Sequence, residues 1–303
     1  MKLTVLLFIF LGIALFVISA CFSKKKKKPN VVDPMPSAIF PYRLNAPSSE
    51  IELPKKLNEI SDLSFDAAAN VLWAVTDEKG NLYRIQLPSG GPIDNFPFGE
   101  DGDYEGVEKV GDLIYAMESN GRITQIEQAT SPNPVVGIFK NAQLEKDDCE
   151  AFMYDPLRNK LVIGVKLPAS GGDSRPFYAF DMETKLLDPT PIFSISLGDI
   201  QAFLRKNGRD GEQYKQWVKN GAVTPSPSAI AIHPKSGNFY ILASVGKTLL
   251  VTNPYGEILE VVALDKKLHP KAEGIAFGPN GTMYISTEAD SDVARLYVYE
   301  PEL

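Results

Sequence analysis

A short motif recurs five times along the chain, and the spacing of its copies constrains the fold more than any other feature. The copies occupy residues 60–65, 104–109, 149–154, 227–232 and 272–277. Measured between the polar residues at 62, 105, 150, 228 and 273, the intervals are 43, 45, 78 and 45 residues. A period near 45 with several short strands per unit is typical of a propeller blade, whereas a β-sandwich repeats no opening motif at fixed spacing. We therefore predict an all-β, five-bladed β-propeller over residues 48–303.

The strands within each unit follow from the apolar runs and the turns between them. Every motif copy is followed by a turn and further apolar runs, with turn signals such as Asn120-Gly121 and Asn280-Gly281. The last unit stops after its third run, and residues 50–53 are predicted to supply its outer strand and close the ring. The long interval contains a short predicted helical insertion at about 197–220, broken near Asn207-Gly208; a sixth, degenerate blade in this region is the alternative.

The amino terminus has the pattern of an export signal. Lys2 precedes an apolar run over residues 5–18, which is shorter than the roughly 20 residues that a membrane-spanning helix requires. The run ends in Ser19-Ala20-Cys21, which resembles a bacterial lipobox; an ordinary signal peptide with a nearby cysteine is the alternative. We predict a signal peptide over 1–20 and a lipidated, palmitate-bearing Cys21. The protein would then be anchored in a membrane of the cell envelope, the outer membrane in a Gram-negative cell.

The segment after the cysteine differs in composition from the rest of the chain. Residues 24–28 are five consecutive lysines, and Pro-rich sequence follows to residue 47, so we predict a solvated tether over 21–47 that contacts anionic headgroups. Six of the 31 Lys and Arg residues lie within residues 1–28, whereas all 38 Asp and Glu residues follow them. The remainder is therefore acidic, which argues against nucleic acid as a partner and is compatible with cations. We expect a monomer.

Acidic residues recur at the start of the motif copies. In a propeller the innermost strand begins at the mouth of the central channel, so these side chains are predicted to converge there, with Ser228 in the fourth unit. The set is Asp62, Glu105, Glu150 and Glu273. Such carboxylates must hold protons, pair with basic residues or bind a cation, for which Ca²⁺ or Mg²⁺ suits oxygen ligands. Bracing of neighbouring blades through backbone N–H groups is the alternative.

A second acidic set follows the second apolar run of each unit. It comprises Asp77, Glu118 and Glu288, with Lys166 and Lys247 at the corresponding places in the other two units. We expect these residues at the opposite end of the strands from the first set, or on the loops beyond. The two histidines and the two cysteines, Cys21 and Cys149, support neither a zinc site nor a catalytic triad.

The motifs resemble those of the SdiA-regulated propeller family and, more distantly, phytase-like and NHL-type propellers. The resemblance covers about residues 50–300 and rests on residues 75–83, 103–106, 149–152, 227–231 and 272–288. It implies a propeller that is exported or membrane-attached, and calcium held near the channel through the Glu-Gly positions, here Glu105, Glu150 and Glu273. Ala151 replaces the expected glycine after Glu150.

Two functions follow as expectations. The first is a lipid-anchored module that binds an unknown small-molecule or protein ligand, with Ca²⁺ at the channel mouth. The alternative is a metal-dependent phytase-like or lactonase-like hydrolase. We favour the non-catalytic module, because phosphate substrates require lysines and arginines and the sequence shows no basic cluster beside the Glu-Gly positions.

Overall fold

The computed structural model describes residues 36–89, 91, 93–209, 226–290 and 293–302. The predicted signal peptide, Cys21, the lysine run and residues 210–225 lie outside the described residues. Within the described ranges, no helix is long and apolar enough to cross a membrane.

The twenty strands within the described ranges form five separate four-stranded antiparallel sheets, as predicted for a five-bladed propeller. Blade 1 contains β2 (Ile60–Asp66), β3 (Val71–Thr76), β4 (Lys79–Gln86) and β5 (Ile93–Pro97). Blade 2 contains β6 (Tyr104–Val110), β7 (Leu113–Glu118), β8 (Ile123–Glu127) and β9 (Val135–Phe139). Blade 3 contains β10 (Asp148–Asp155), β11 (Lys160–Leu167), β12 (Ser174–Asp181) and β13 (Phe193–Ser196). Blade 4 contains β14 (Ala229–Ile232), β15 (Phe239–Ala243), β16 (Thr248–Thr252) and β17 (Ile258–Ala263).

Blade 5 joins the two ends of the domain. Its strands are β18 (Ala272–Phe277), β19 (Met283–Thr287), β20 (Arg295–Tyr299) and, at its outer edge, β1 (Ser49–Glu52). Ile51 lies opposite Leu296 in this antiparallel pair, and Arg295 forms an ion pair with Glu50 at 2.9 Å. The predicted closure by residues 50–53 is therefore confirmed, and it covers an edge that would otherwise be open to pairing.

The innermost strands β2, β6, β10, β14 and β18 contact one another in a closed ring around the axis. Between each pair of neighbouring blades lies one hydrophobic cluster, so the core is divided among five interfaces. Close packing at these interfaces explains why residue 106 is a glycine. A Cβ on Gly106 of blade 2 would lie 2.4 Å from the Phe152 side chain of blade 3. Only glycine fits this position without a shift of its neighbour.

Each blade has two ends, which we call the upper and lower ends. The upper end is where the innermost strand begins and the second strand finishes. The lower end carries the turns from the first to the second strand and from the third to the fourth. Helix α1 (Leu197–Lys206) belongs to the upper connection between blades 3 and 4, and the Ser196–Asp199 capping box starts it. Gly208 follows it in a left-handed conformation, as expected at a helix end, and the second part of the predicted insertion lies outside the described residues.

A segment ahead of β1 packs on the lower end of blades 4 and 5; we call residues 36–48 the strap. Phe40, Tyr42 and Leu44 are each no more than 1% exposed and belong to the cluster between these blades. The Tyr42 hydroxyl donates to the Gly281 carbonyl at 2.6 Å, and the Tyr240 hydroxyl donates to the Ile39 carbonyl at 2.9 Å. The predicted solvated tether over 21–47 is thus wrong for residues 40–44, because alternating apolar side chains bury them in the core.

Candidate functional site

The two acidic sets meet at the same end of the propeller. In an antiparallel hairpin the start of the first strand lies beside the end of the second, so Tyr104 pairs with Glu118 and the Glu288 N–H donates to the Lys271 carbonyl at 3.0 Å. The expectation that the second set occupies the opposite end is therefore wrong. Both sets lie at the upper end, which brings Lys166 of the second set into contact with Glu150 of the first.

A β-bulge fixes the position of the acidic residue in three blades. The strand pairing skips one residue at the start of each innermost strand, and the skipped residues are Glu105, Glu150 and Glu273. A bulged residue is not paired in the ladder and its side chain is re-aimed, here at the channel mouth. Ser228, next to the paired Ala229, occupies this position in blade 4 and donates to the Ala272 carbonyl of blade 5 at 2.8 Å.

Asp62 does not occupy the bulge position. In blade 1 the skipped residue is Ser61. Asp62 pairs with Val75 and is therefore equivalent to Gly106 of blade 2, which pairs with Met117. Its side chain therefore lies between the blades, where Oδ2 accepts from the Val107 N–H at 3.0 Å and the residue is 1% exposed. Burial raises the pKa of Asp62 well above its usual range. Asp62 braces blades 1 and 2, which was the alternative interpretation, and the predicted four-membered acidic ring loses this member.

Three carboxyls remain at the mouth: Glu150 is buried and contacts a lysine, whereas Glu105 and Glu273 are half-buried. Glu150 is 6% exposed; its Oε1 accepts from Lys166 Nζ, whereas its Oε2 is buried with no hydrogen-bond partner. Burial, together with repulsion from Glu150, raises the pKa of Glu105 to about 10. Burial raises the pKa of Glu150 to about 8 against the opposing effect of Lys166, and burial and Glu288 raise the pKa of Glu273 to about 7.

Lysines balance part of this charge. Burial disfavours the Lys166 ammonium, but Glu150, Asp148 and Glu273 outweigh that effect and raise its pKa. Burial lowers the pKa of Lys247, which Glu273 opposes. Lys271 donates to Glu288 at 2.6 Å. Converging carboxylates can pair with basic residues, hold protons or bind a cation. The structure shows pairing with basic residues, and the raised pKa values favour protonation. It also contradicts the expectation that no basic cluster lies beside the Glu-Gly positions.

The second acidic set divides between the site and the scaffold. Burial and the carboxylates of Glu59 and Glu288 raise the pKa of Asp77 to about 6, so Asp77 and Glu288 extend the acidic mouth towards blade 1. Glu118 accepts from Arg122 Nε at 2.6 Å within its own blade and has a structural role. Among the residues that the structure describes, no group of three or more His, Cys, Asp or Glu side chains is arranged to hold a metal ion.

Glu108 is a half-buried acidic residue that the sequence motifs did not single out. Its Oε2 accepts from the Ser64 hydroxyl of blade 1 at 2.8 Å, and its Oε1 accepts from the Tyr154 N–H of blade 3 at 3.0 Å. Burial raises its pKa to about 7. It links three innermost strands below the mouth. No sequence signal distinguishes it from an ordinary strand residue, because its partners come from two other repeats.

The raised carboxyl pKa values predict how stability depends on pH. A carboxyl whose pKa is higher in the folded state stabilises the fold below its usual pKa of about 4.3, and this contribution is lost as the pH rises through the folded value. We expect the free energy of unfolding to fall between pH 6 and 9, measured by urea denaturation. Glu105→Gln should flatten this slope, whereas Glu145→Gln at an exposed position of the same end should not. Parallel profiles for the two variants would contradict the coupling at the mouth.

Comparison with known proteins agrees with this architecture. The sequence profile of the family described as SdiA-regulated matches residues 42–164 and 188–291. No curated protein sequence matches the chain. Among solved structures, glutaminyl cyclase from Myxococcus xanthus is 15% identical, with a TM-score of 0.56 over 85% of this chain and 96% of that one.

A second solved structure, a luciferin-regenerating enzyme, is 12% identical, with a TM-score of 0.50 over 85% of this chain and 98% of that one. At these identities the two structures show a shared fold and nothing about chemistry. The family match covers well over half of the chain and includes the Glu-Gly motifs of blades 2 and 5. The chain belongs to the SdiA-regulated family.

Proposed function

We propose that this propeller is a binding module that holds a small cationic ligand at its channel mouth. The observation that carries the proposal is Glu150, a buried carboxyl whose Oε2 has no partner while Glu105 and Glu273 act on it electrostatically. A buried polar atom without a partner costs free energy, so a ligand that donates to it or coordinates it gains affinity. With Asp77 and Glu288, the carboxyls at the mouth outnumber the three lysines beside them, and this favours a cation over an anion as the ligand.

Ca²⁺ and an organic ammonium group are the two kinds of cation considered as the ligand. Carboxylate oxygens suit Ca²⁺, but the side chains as arranged form no ready-made metal centre. Lys166 occupies only Oε1 of Glu150, so a primary amine could donate to Oε2 without displacing the lysine. Ca²⁺ would require the lysine to leave and Glu105 or Glu273 to move and lose any bound proton.

Cation binding is tested by thermal unfolding at pH 7.5 with Ca²⁺, Mg²⁺ or 1,4-diaminobutane. A ligand at 100 times its dissociation constant stabilises the folded state by about 2.7 kcal/mol, which raises the melting temperature. We expect Ca²⁺ or the diamine to raise it more than Mg²⁺ does, and Glu150→Gln to remove the shift. Glu145→Gln is the matched control. No shift with either cation at millimolar concentration would contradict the proposal.

The module is further proposed to be an exported lipoprotein, on the basis of the lipobox-like sequence before Cys21. Several acyl chains would hold it stably, because each buried CH₂ contributes about 0.8 kcal/mol. Cys21→Ser should move the protein from the membrane fraction to the soluble fraction of cells, as measured by immunoblotting after a high-salt wash. Unchanged retention in membranes would contradict lipid attachment at this residue.

A hydrolase is the second candidate, and one observation supports it. Lys166, Lys247 and Lys271 accompany the acidic mouth, and carboxyls with pKa values of about 7 and 8 at Glu273 and Glu150 suit general acid–base catalysis near neutral pH. Such an enzyme would act on an anionic phosphoester or on a lactone. Calcium-dependent hydrolysis of p-nitrophenyl phosphate or of a simple lactone, lost in Glu150→Gln, would favour it over the binding module.

A further inference from the structure

Large apolar side chains protrude from turns at the lower end of blades 3 and 4. Leu157 is 87% exposed in the first turn of blade 3, Leu186 is 67% exposed in the connection from β12 to β13, and Tyr255 is 76% exposed in the turn between β16 and β17. Both kinds of turn lie at the lower end of an antiparallel blade, so the three tips point away from the channel mouth. Exposed large apolar residues grouped on one face mark an interaction surface.

Two of the tips, Leu157 and Tyr255, belong to one connected surface. The Arg158 guanidinium donates to the Pro254 carbonyl at 3.1 Å and lies over the Tyr255 ring at 5.6 Å, which joins the turns of the two blades. Basic residues are next to each leucine in sequence, namely Arg158 and Lys185. Carboxylates such as Asp155, which pairs with Arg158, also occur here, so net charge does not distinguish this end. Its apolar tips are more exposed than those of the upper end, where Leu167 is 53% and Val245 45% exposed.

The strap brings the preceding chain to this same end. Pro36 lines a cavity of about 540 Å³ together with Lys235 and Ser236 of the first turn of blade 4 and with Pro301 after β20. Residues 38–44 are fixed to blades 4 and 5 by the buried side chains described above. Pro36, the first described residue, therefore lies at the lower end, and the fifteen peptide units between it and Cys21 can span at most about 50 Å.

We propose that the lower end of the propeller rests on a lipid bilayer, with Leu157, Leu186 and Tyr255 in the headgroup region. Apolar side chains on a protein surface gain free energy by entering the boundary between headgroups and acyl chains, and a tyrosine suits that boundary because one end of it is polar. The acidic mouth then faces away from anionic lipids and stays open to solutes. The proposal rests on the lipid anchor but not on the ligand of the mouth.

The proposal is tested with an environment-sensitive fluorophore on single introduced cysteines in the full chain, reconstituted into phosphatidylethanolamine–phosphatidylglycerol vesicles. Leu157→Cys is compared with Leu167→Cys, an upper-end leucine that is 53% exposed, and the unsubstituted chain gives the background, since Cys149 is fully buried. We expect the label at 157 to become several-fold brighter on vesicles and to be quenched by spin-labelled lipid, with no change at 167.

Each other outcome overturns a defined part of the account. If the protein sediments with vesicles but the two labels respond equally, it is anchored but does not rest on this face. Chain that does not sediment lacks both the anchor and the contact. A signal at 157 that rises with protein concentration without vesicles shows that a second copy covers the tips, and this also overturns the membrane contact. None of these results bears on cation binding at the mouth.

Discussion

Replacing Tyr42 with alanine will lower the free energy of unfolding by about 3–5 kcal/mol, the cost of removing a fully buried aromatic side chain. Tyr42 is 0% exposed and its ring packs within about 6 Å of the His233, Tyr240 and Phe277 rings, which belong to two blades. The substitution also leaves the Gly281 carbonyl without its donor. The strap would lose its principal attachment, so the loss is large even though residue 42 precedes the first strand.

Urea denaturation followed by circular dichroism measures this effect. Tyr42→Phe keeps the ring and loses only the hydrogen bond, so it should cost about 1 kcal/mol. Tyr255→Ala is the matched control, because that tyrosine is 76% exposed, and it should leave stability unchanged. If Tyr42→Ala unfolds at the same urea concentration as the unsubstituted protein, the strap is not part of the core.

Replacing Lys166 with methionine will destabilise the protein by about 2 kcal/mol at pH 8.5, because the buried Glu150 carboxylate loses its partner and ionises less readily in the folded state. Without the lysine, the folded-state pKa of Glu150 rises further above its usual value of about 4.3. At pH 5.5 the carboxyl therefore stays protonated in the folded state and the loss should be about 1 kcal/mol. The destabilisation grows as the pH rises, since only the unfolded state then ionises freely.

Denaturation at the two pH values checks this prediction. Lys79→Met removes an ion pair whose members, Lys79 and Asp101, are 49% and 66% exposed, so it should change stability little at either pH. Glu150→Gln combined with Lys166→Met should recover much of the loss at pH 8.5, since no buried charge remains. An equal loss at pH 5.5 and 8.5 would mean that Lys166 acts by packing rather than by charge.

The repeat and its turns were sufficient to predict the architecture. The 43- to 45-residue period, the Asn-Gly turns and the short last unit predicted five blades and closure by residues 50–53, and the structure confirms each of them. These features are local in the sequence or depend on period alone. The end of α1 before Gly208 was likewise predictable, because glycine is common after a helix end.

Other features depend on register or on distant contacts and were missed for that reason. A bulge skips Ser61 in blade 1, so Asp62 falls one position away from Glu105 although the motifs align by eye. The strap looked like a linker because it is rich in proline, yet the alternation of Phe40, Tyr42 and Leu44 was a signal for one buried face.

The composition of the site was only half predictable. The motif repeat indicated Glu105, Glu150 and Glu273, and their bulge positions bring them to the channel mouth. Antiparallel pairing alone was enough to place Lys166 beside Glu150. Because this pairing was not considered, the second acidic set was predicted at the wrong end of the strands. Glu108 has partners on two other blades, so only the assembled ring identifies it as a brace.

Native mass spectrometry of the purified full chain, released from detergent in chelator-free buffer, tests the cation site most directly. The account predicts that the protein carries, or takes up at micromolar to millimolar concentration, one Ca²⁺ or one diamine, and that Glu150→Gln abolishes this adduct while Glu145→Gln retains it. A bare protein mass with both cations, or an adduct that survives Glu150→Gln undiminished, would contradict a binding site at the channel mouth.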